Sequence, residues 1–364
     1  MTAYERPQDP APGGRADRRG PARRPTMKDI ARRAGVSESA VSFALNDRPG
    51  VSDATRRRVR AVAEQLGWQA STAARALSGE GAATVGLVLA RPANTLGLES
   101  FFLQLVSGLQ EVLSARQLGL LFRVVEDSGA ECDVYRRWWA EQRVDGVIVV
   151  DPHAGDPRPE LLDSLGLPAV VIGTTPDGAA ARPGISTVWA DDTAAMAAIA
   201  RHLHALGHRR VVHVAGPPHL SHTARRLASL RAEAARLGVA AARSVTTDYS
   251  GEQGAEVTSR VLAGADPPTA IVYDNDVMAV AGAAVAARRG LSVPGDLSLV
   301  AFDDSPLCRT THPPLTALVR DTLAVGRCAA TELLALLAGG SARRVQVPTP
   351  RLCVRASTAP PSAA

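Results

Sequence analysis

From Thr84 onward, short apolar runs recur at helix-length intervals: "VGLVLA", "GLLFRVVED", "GVIVVD", "AVVIGT", "RVVHVAG", "SVTTDY", "TAIVYDND" and "SLVAFDD". Between them lie amphipathic stretches such as "FFLQLVSGLQEVLSARQLG", "DDTAAMAAIARHLHALGH" and "DVMAVAGAAVAARRG". That alternation leaves few architectures open. A continuous apolar run that does not alternate in and out is a strand covered on both faces. Strand, helix, strand with such runs means a parallel sheet with helices on both sides. Roughly 280 residues of this pattern exceed one ordinary domain, so two lobes are expected. The segment Pro313-Pro314-Leu315 is expected to be a late crossover between them. Ligands of open parallel sheets sit beyond the carboxyl ends of the strands. Here those ends carry Asp151, Asp274-Asn275-Asp276 and Asp303-Asp304. These residues suit a polar small molecule, and equally suit the caps of the helices after them.

Ahead of Thr84 the texture is different. Residues 1–25 are rich in Pro, Gly, Ala and Arg without periodicity, and are expected to be a disordered basic tail. Residues 26–70 hold three short helices, with Thr26, Ser37 and Ser52 as N-caps and Gly35 and Gly67 as stops. Ile30, Ala31, Val36, Val41, Leu45, Val51, Val59, Val62 and Leu66 fall at helical spacing and predict one small core. Ala31, Gly35 and Val41 are the small, turn and buried β-branched residues of a helix-turn-helix. Residues 71–83 read as a linker with helical potential in its middle. Charge follows the same division. Up to Gly79 there are fifteen basic and eight acidic residues, a surplus of seven, so the rest of the +5 chain carries a deficit of two. A basic head on a near-neutral body points to a polyanion partner. Yet from Ser37 to Asn46, the helix expected to read bases, there is no Arg, Lys or Gln.

Other classes find little support. No run approaches the ~18 apolar residues of a membrane span. The first 25 residues are basic without an apolar core, so no secretory signal is expected there and a cytoplasmic location is. Cys132, Cys308, Cys328 and Cys353 lie far apart and form no C-x-x-C pair, which fits a reducing compartment. No phosphate-binding Gly-rich loop and no G-x-S-x-G elbow occur, so neither catalysis nor a cofactor is expected. His202, His204, His208, His213, His219 and His222 crowd one region. However, His202 and His204 are two apart on an expected helix and face different ways, and no metal is assigned.

The stretch "TMKDIARRAGVSESAVSFALNDRPGVSDATRRRVRAVAEQLGWQASTAARALSG" resembles the DNA-binding head of the LacI/GalR family of bacterial repressors. "VWADDTAAMAAIARHLHALGHRRVVHVAGP", "RRLASL", "DYSGEQG", "PPTAIVYDNDVMA", "VPGDLSLVAFDDSP" and "HPPLTALVRD" resemble its body. The resemblance runs from about Thr26 to Thr358. It implies an all-α helix-turn-helix head and an α/β body of two lobes at 84–360, like a periplasmic binding protein. It also implies a homodimer, or a tetramer, on operator DNA, controlled by a small-molecule effector, expected to be a sugar. Thr26, Ser37, Asn46, Ser52 and Thr55 match phosphate-contacting or capping positions. Glu38, Ser39 and Phe43 match base-reading positions, with Ser42 beside them. Lys28 and Arg56 join the set as sources of phosphate attraction. "STAARAL", with Ala74 and Leu77, matches the hinge that inserts a leucine into the minor groove. Arg226, Tyr249, Asn275 and Asp303 match effector contacts, and Phe101 and Phe102 line the cleft. Three departures stand out: Ala70 replaces the usual hinge proline, Phe43 an arginine common in the family, and Ser229 a frequent glycine. A solute-binding protein without a regulatory role, or an α/β enzyme acting on a sugar, would be the alternatives. The head argues against the first.

Overall fold

The computed structural model describes residues 24–68, 81–91, 100–174, 182–239 and 241–362. The chain divides into two compact units, residues 1–71 and 72–364. In the first, α1 (Met27–Ala34), α2 (Glu38–Leu45) and α3 (Asp53–Gln65) form a three-helix head. Each helix starts at the expected cap. Thr26 accepts from the Asp29 amide in a reciprocal capping box, Ser37 accepts from Ala40, and Ser52 from Thr55. Such caps satisfy amides that the helix itself leaves unpaired. Gly35 ends α1 at φ +66°, in the left-handed region. Ile30, Ala31, Val41, Val59 and Val62 are buried in one core, and Val36, Leu45, Val51 and Leu66 pack against it.

The second unit holds two sheets. The first contains β1 (Thr84–Ala90), β2 (Gly119–Val125), β3 (Gly146–Val149), β4 (Ala169–Ile172), β5 (Ile185–Trp189) and β11 (Arg344–Gln346). Its order is β11-β5-β4-β3-β1-β2, and every pairing is parallel. Helices α4 (Ser100–Ala115) and α12 (Thr322–Leu337) cover one face, α5 (Ser128–Ala140) and α6 (Arg158–Leu165) the other. The strands are buried on both sides. Val85, Leu87 and Leu89 face α4 and α12, whereas Val88 faces α5. Helices α4 and α12 cross at Gly108 and Gly326. A Cβ on either would run into the other helix's backbone, at Leu323 or Leu105 respectively.

The second sheet contains β6 (Arg210–Ala215), β7 (Ala241–Thr246), β8 (Ala270–Tyr273), β9 (Ser298–Ala301), β10 (Thr316–Val319) and β12 (Arg351–Cys353). Its order is β12-β10-β9-β8-β6-β7, and only β12 runs antiparallel. Helices α7 (Asp192–Ala205) and α8 (Ser221–Leu237) pack on one face, α9 (Gly251–Leu262) and α10 (Asp276–Arg288) on the other. A short α11 (Pro306–Thr310) precedes β10.

The chain passes between the lobes after β5, after β10 and after β11. Pro313-Pro314-Leu315, expected as a late crossover, instead joins α11 to β10 within the second lobe. The physical reason is strand pairing: Thr316–Val319 still hydrogen-bonds beside β9 in the second sheet. The crossing therefore waits until Arg320.

Candidate functional site

A cleft of about 830 Å³, counting its mouth, opens between the lobes at the carboxyl ends of the strands. Phe101, Phe102, Arg226, Tyr249, Asn275 and Asp303 all line it. Its centre is Arg226, on α8, with a side chain only 4% exposed. Nη1 donates to Asp274 Oδ1 at 3.0 Å, and Nη2 to Asp192 Oδ1 at 3.3 Å. The guanidinium lies 3.5 Å from the centroid of the Phe302 ring. Nε is buried and has no hydrogen-bond partner among the described residues.

Asp274 follows β8 and is fully buried; it also accepts from His213 Nε2 at 2.9 Å and from the Gly216 amide at 2.8 Å. Burial alone would raise its carboxyl. Arg226, His213 and the Gly216 amide outweigh that and hold it well below the ordinary range. Asp192 behaves likewise: burial is opposed by Arg226, Arg320, His222 and Arg225, and its carboxyl falls to about 2. Both aspartates stay ionised across the neutral range.

Tyr249 holds φ +72°, rare for a residue with a side chain. Its ring leaves no room for a Cβ at Gly216. Its hydroxyl lies 2.6 Å from His222 Nε2. Burial and the positive charge of Arg226 push the His222 imidazole down to about 4, so it is neutral near neutral pH. The ring matched to effector stacking already has a neighbour. Arg91 Cζ lies 4.8 Å from the Tyr249 centroid and 5.5 Å from that of Phe102, while its Nε and Nη2 donate to Asp151. Asn275 is largely committed too. Oδ1 accepts from the Met278 amide, capping α10, and Nδ2 donates to the Tyr249 carbonyl. Phe102 is buried in the first-lobe core, and Phe101 packs against it. Asp303 faces Arg320 across 3.8 Å, and Arg320 lies over the Phe101 ring at 5.5 Å.

Arg91, Asp192, Trp189, Arg225 and Arg320 belong to this lining and were not among the expected residues. Three of them adjoin a lobe crossing: Trp189 ends β5, Asp192 begins α7 and Arg320 follows β10. Charged residues beside the crossings of a two-lobed chain are the signal that finds Asp192 and Arg320. The pair Arg225-Arg226 turns inward as a unit. Arg225 donates to Thr174 O and to Asp192 Oδ2 rather than lying on the surface. The histidines disperse: His213 serves Asp274, His208 bonds Thr269 and Ser298, and His202 bonds Thr358. Among the described residues no three ligating side chains converge on one point.

In the head, Glu38, Ser39, Phe43 and Asn46 are exposed on α2 and its end, and Ser42 is half-buried. Ser39 Oγ lies 2.9 Å from Ser37 Oγ, and Asn46 Nδ2 donates to Ser42 Oγ at 3.4 Å. Thr26 and Ser52 are engaged as caps, and Thr55 Oγ1 lies 3.0 Å from Ser52 Oγ. Lys28, Arg33, Arg48, Arg57 and Arg58 are exposed. Arg56, expected to attract phosphate, is turned onto the end of α2. Its guanidinium donates to the carbonyls of Phe43, Ala44 and Arg48 and to Asp47 Oδ1. One turn of α3 brings it there, and these bonds engage both Nη groups of a side chain that is only 18% exposed. Ala74 and Leu77 lie outside the described residues.

Comparisons with known proteins match both units. Residues 26–71 match the model for bacterial regulatory proteins, lacI family, and residues 200–358 that for a periplasmic binding protein-like domain. The HTH-type transcriptional regulator MalR of Streptomyces coelicolor is 32% identical over 344 residues, 92% of this chain and 96% of that one. The HTH-type transcriptional regulator CelR of Thermobifida fusca is 30% identical over 327 residues, 89% and 95% of the two chains. A solved transcriptional regulator CelR–cellobiose complex is 27% identical, covers 92% of this chain and 100% of its own, and gives a TM-score of 0.69.

Proposed function

The chain belongs to the lacI family of bacterial regulatory proteins, and from that premise we propose a repressor whose hold on operator DNA is set by a neutral carbohydrate in the interlobe cleft. The observation that carries the effector is the charge balance of the lining. Arg91, Arg225, Arg226 and Arg320 meet Asp151, Asp192, Asp274 and Asp303. A ligand with a net charge would upset that balance. A neutral ligand with many hydroxyls can accept from the arginines, donate to Asp303 and lie against the exposed edges of Phe101 and Trp189. The related regulator solved with cellobiose supports the same class.

We assign DNA reading to residues 26–70, effector binding and dimerisation to 84–360, and their coupling to 71–83. Two heads of a homodimer meet two half-sites, with α2 in the major groove. Glu38 accepts from a cytosine amino group and Phe43 touches a thymine methyl, while Ser39 serves either. Lys28, Arg33, Arg57 and Arg58 supply phosphate attraction, together with the capped helix starts at Thr26, Ser37 and Ser52. A protein of this kind works in the cytoplasm, at the nucleoid when bound. The effector changes how the lobes close, an allosteric coupling of typically about 1–3 kcal/mol. The test is a gel shift of the full chain on the DNA upstream of its own gene, with cellobiose, maltose and other neutral sugars titrated in. Specific retardation altered by one of these sugars is expected. Specific retardation that only anionic ligands alter would overturn the effector class.

A further inference from the structure

Helix α2 has no basic residue in its last turn, and its end residue Asn46 is not left-handed, at φ −97°. The last carbonyls of such a helix have no partners within it, and the negative end of its dipole has no cation of its own; here the Arg48 amide reaches back, to Phe43 O at 3.0 Å. Arg56, thirteen residues after Phe43, meets both needs from α3. Nη1 lies 3.2 Å from Phe43 O, 3.4 Å from Ala44 O and 2.9 Å from Asp47 Oδ1, and Nη2 lies 3.0 Å from Arg48 O. The side chain is only 18% exposed. Asp47 holds φ +51° and is gripped from a second side by Arg60 Nη2, 2.7 Å from Oδ1. The loop so braced reaches Gly50, at φ +120°, where a Cβ would stand 3.1 Å from Phe43 Cδ2. The Phe43 ring, 37% exposed, therefore rests on a loop that Arg56 ties to the helix.

We propose that Arg56 is a positioning residue for base recognition: it sets the carboxyl end of α2, and with it Phe43, against the DNA without itself contacting a phosphate. This rests on the reading of α2 as the base-reading helix. The bridging of three carbonyls and a carboxylate needs the planar, forked guanidinium; a lysine ammonium brings the charge but not the reach in several directions.

The experiment selects binding sites for the full chain from a pool of random duplex DNA, then repeats the selection for Arg56→Ala, Arg56→Lys, Phe43→Ala and Glu38→Ala. Affinities for the selected site are measured against salt. Arg56→Ala is expected to flatten the positions that Phe43→Ala flattens, by about five- to tenfold in preference, and to spare those that Glu38→Ala flattens. Its salt slope stays that of the unaltered chain, and Arg56→Lys does not restore the preference. A salt slope lower by about 0.9, with unchanged preferences and rescue by lysine, is the behaviour of a phosphate contact and would overturn the proposal. If Arg56→Ala leaves the head unfolded, Asp47→Gly decides, since glycine adopts the left-handed φ of this position. It removes one strut, and weaker flattening of the Phe43 positions supports the proposal, whereas an unchanged site overturns it. An unaltered chain that selects no site at all refutes the DNA-reading assignment itself, and the proposal with it.

Discussion

Replacing Arg226 by methionine keeps an unbranched stem out to about Nε and removes the guanidinium with its charge. In the native cleft this guanidinium neutralises two buried carboxylates, Asp274 and Asp192. Stranding a buried charge costs about 3–5 kcal/mol. Here the lower end applies, because Asp274 keeps His213 and the Gly216 amide and Asp192 keeps Arg225. We expect Arg226→Met to lower unfolding stability by about 3 kcal/mol in urea titrations followed by tryptophan fluorescence. In the double variant Arg226→Met/Asp274→Asn the most buried carboxylate is gone as well. The amide oxygen can still accept from Gly216 while Nδ2 donates to the ring nitrogen of His213, so about half of the loss should return, roughly 1.5 kcal/mol. Both variants should lose the thermal shift produced by the effector, although only the single variant is badly destabilised. That contrast separates the arginine's part in folding from its part in binding. A double variant less stable than the single one would refute the charge-stranding argument. A single variant that still answers the effector would remove Arg226 from the binding site.

The His222 imidazole, at about 4 in the folded chain, takes up a proton near 6.5 when unfolded. Between these values the unfolded state holds more protons, so stability rises with pH across that window and falls by about 2–3 kcal/mol on acidification to pH 4. His222→Gln should flatten this part of the stability curve, and an unchanged slope would refute the assignment. The lowered carboxyls of Asp192 and Asp274 act below it, losing their contribution as pH falls under about 4. Gly326→Ala, forced against the Leu105 carbonyl, should cost about 2–3 kcal/mol; an unshifted urea midpoint would show that α4 and α12 have room to part. Glu38→Ala should relax base preference and keep the salt slope, whereas Arg57→Ala with Arg58→Ala should do the reverse. Equal effects of the two on preference would sink that division of labour.

Legible and hidden features separate by the distance over which each is decided. Caps and turns are local, so Thr26, Ser37, Ser52 and Gly35 stand where their residue types put them. Long apolar runs are also local, and they mark the central strands. The strands that no such run marks are "ISTVW", "TALV", "RVQ" and "RLC", of three to five residues each. β11 and β12 are three-residue edge strands with little burial, whereas β5 and β10 are largely buried but short, with Ser186, Thr187 and Thr316 breaking up their apolar residues. Misplacing the late crossover has the same origin: two prolines look like a break, and Thr316 to Val319 is too short a run to show as a strand.

The cleft is decided over longer distances. Arg226 meets Asp192 and Asp274 across 34 and 48 residues, and Arg91 meets Asp151 across 60. No spacing rule reaches so far, so family resemblance points to Arg226 while Asp192 stays hidden and Asp274 shows only as a polar strand end. Asn275 shows the opposite difficulty, since capping and ligand binding both favour the same residue after a strand, and the fold grants it the first outright. The "RRR" of α3 is the most instructive case. As composition it is one basic cluster with one purpose. On a helix, consecutive residues point about 100° apart, so the three cannot share a direction. Arg56 turns to the carbonyls of α2, while Arg57 and Arg58 face solvent. The helix that carries no cation of its own is therefore supplied with one by its neighbour, at the end where a helix needs it. Its exposed face is left to Glu38, Ser39 and Phe43, residues suited to telling bases apart rather than to holding phosphates.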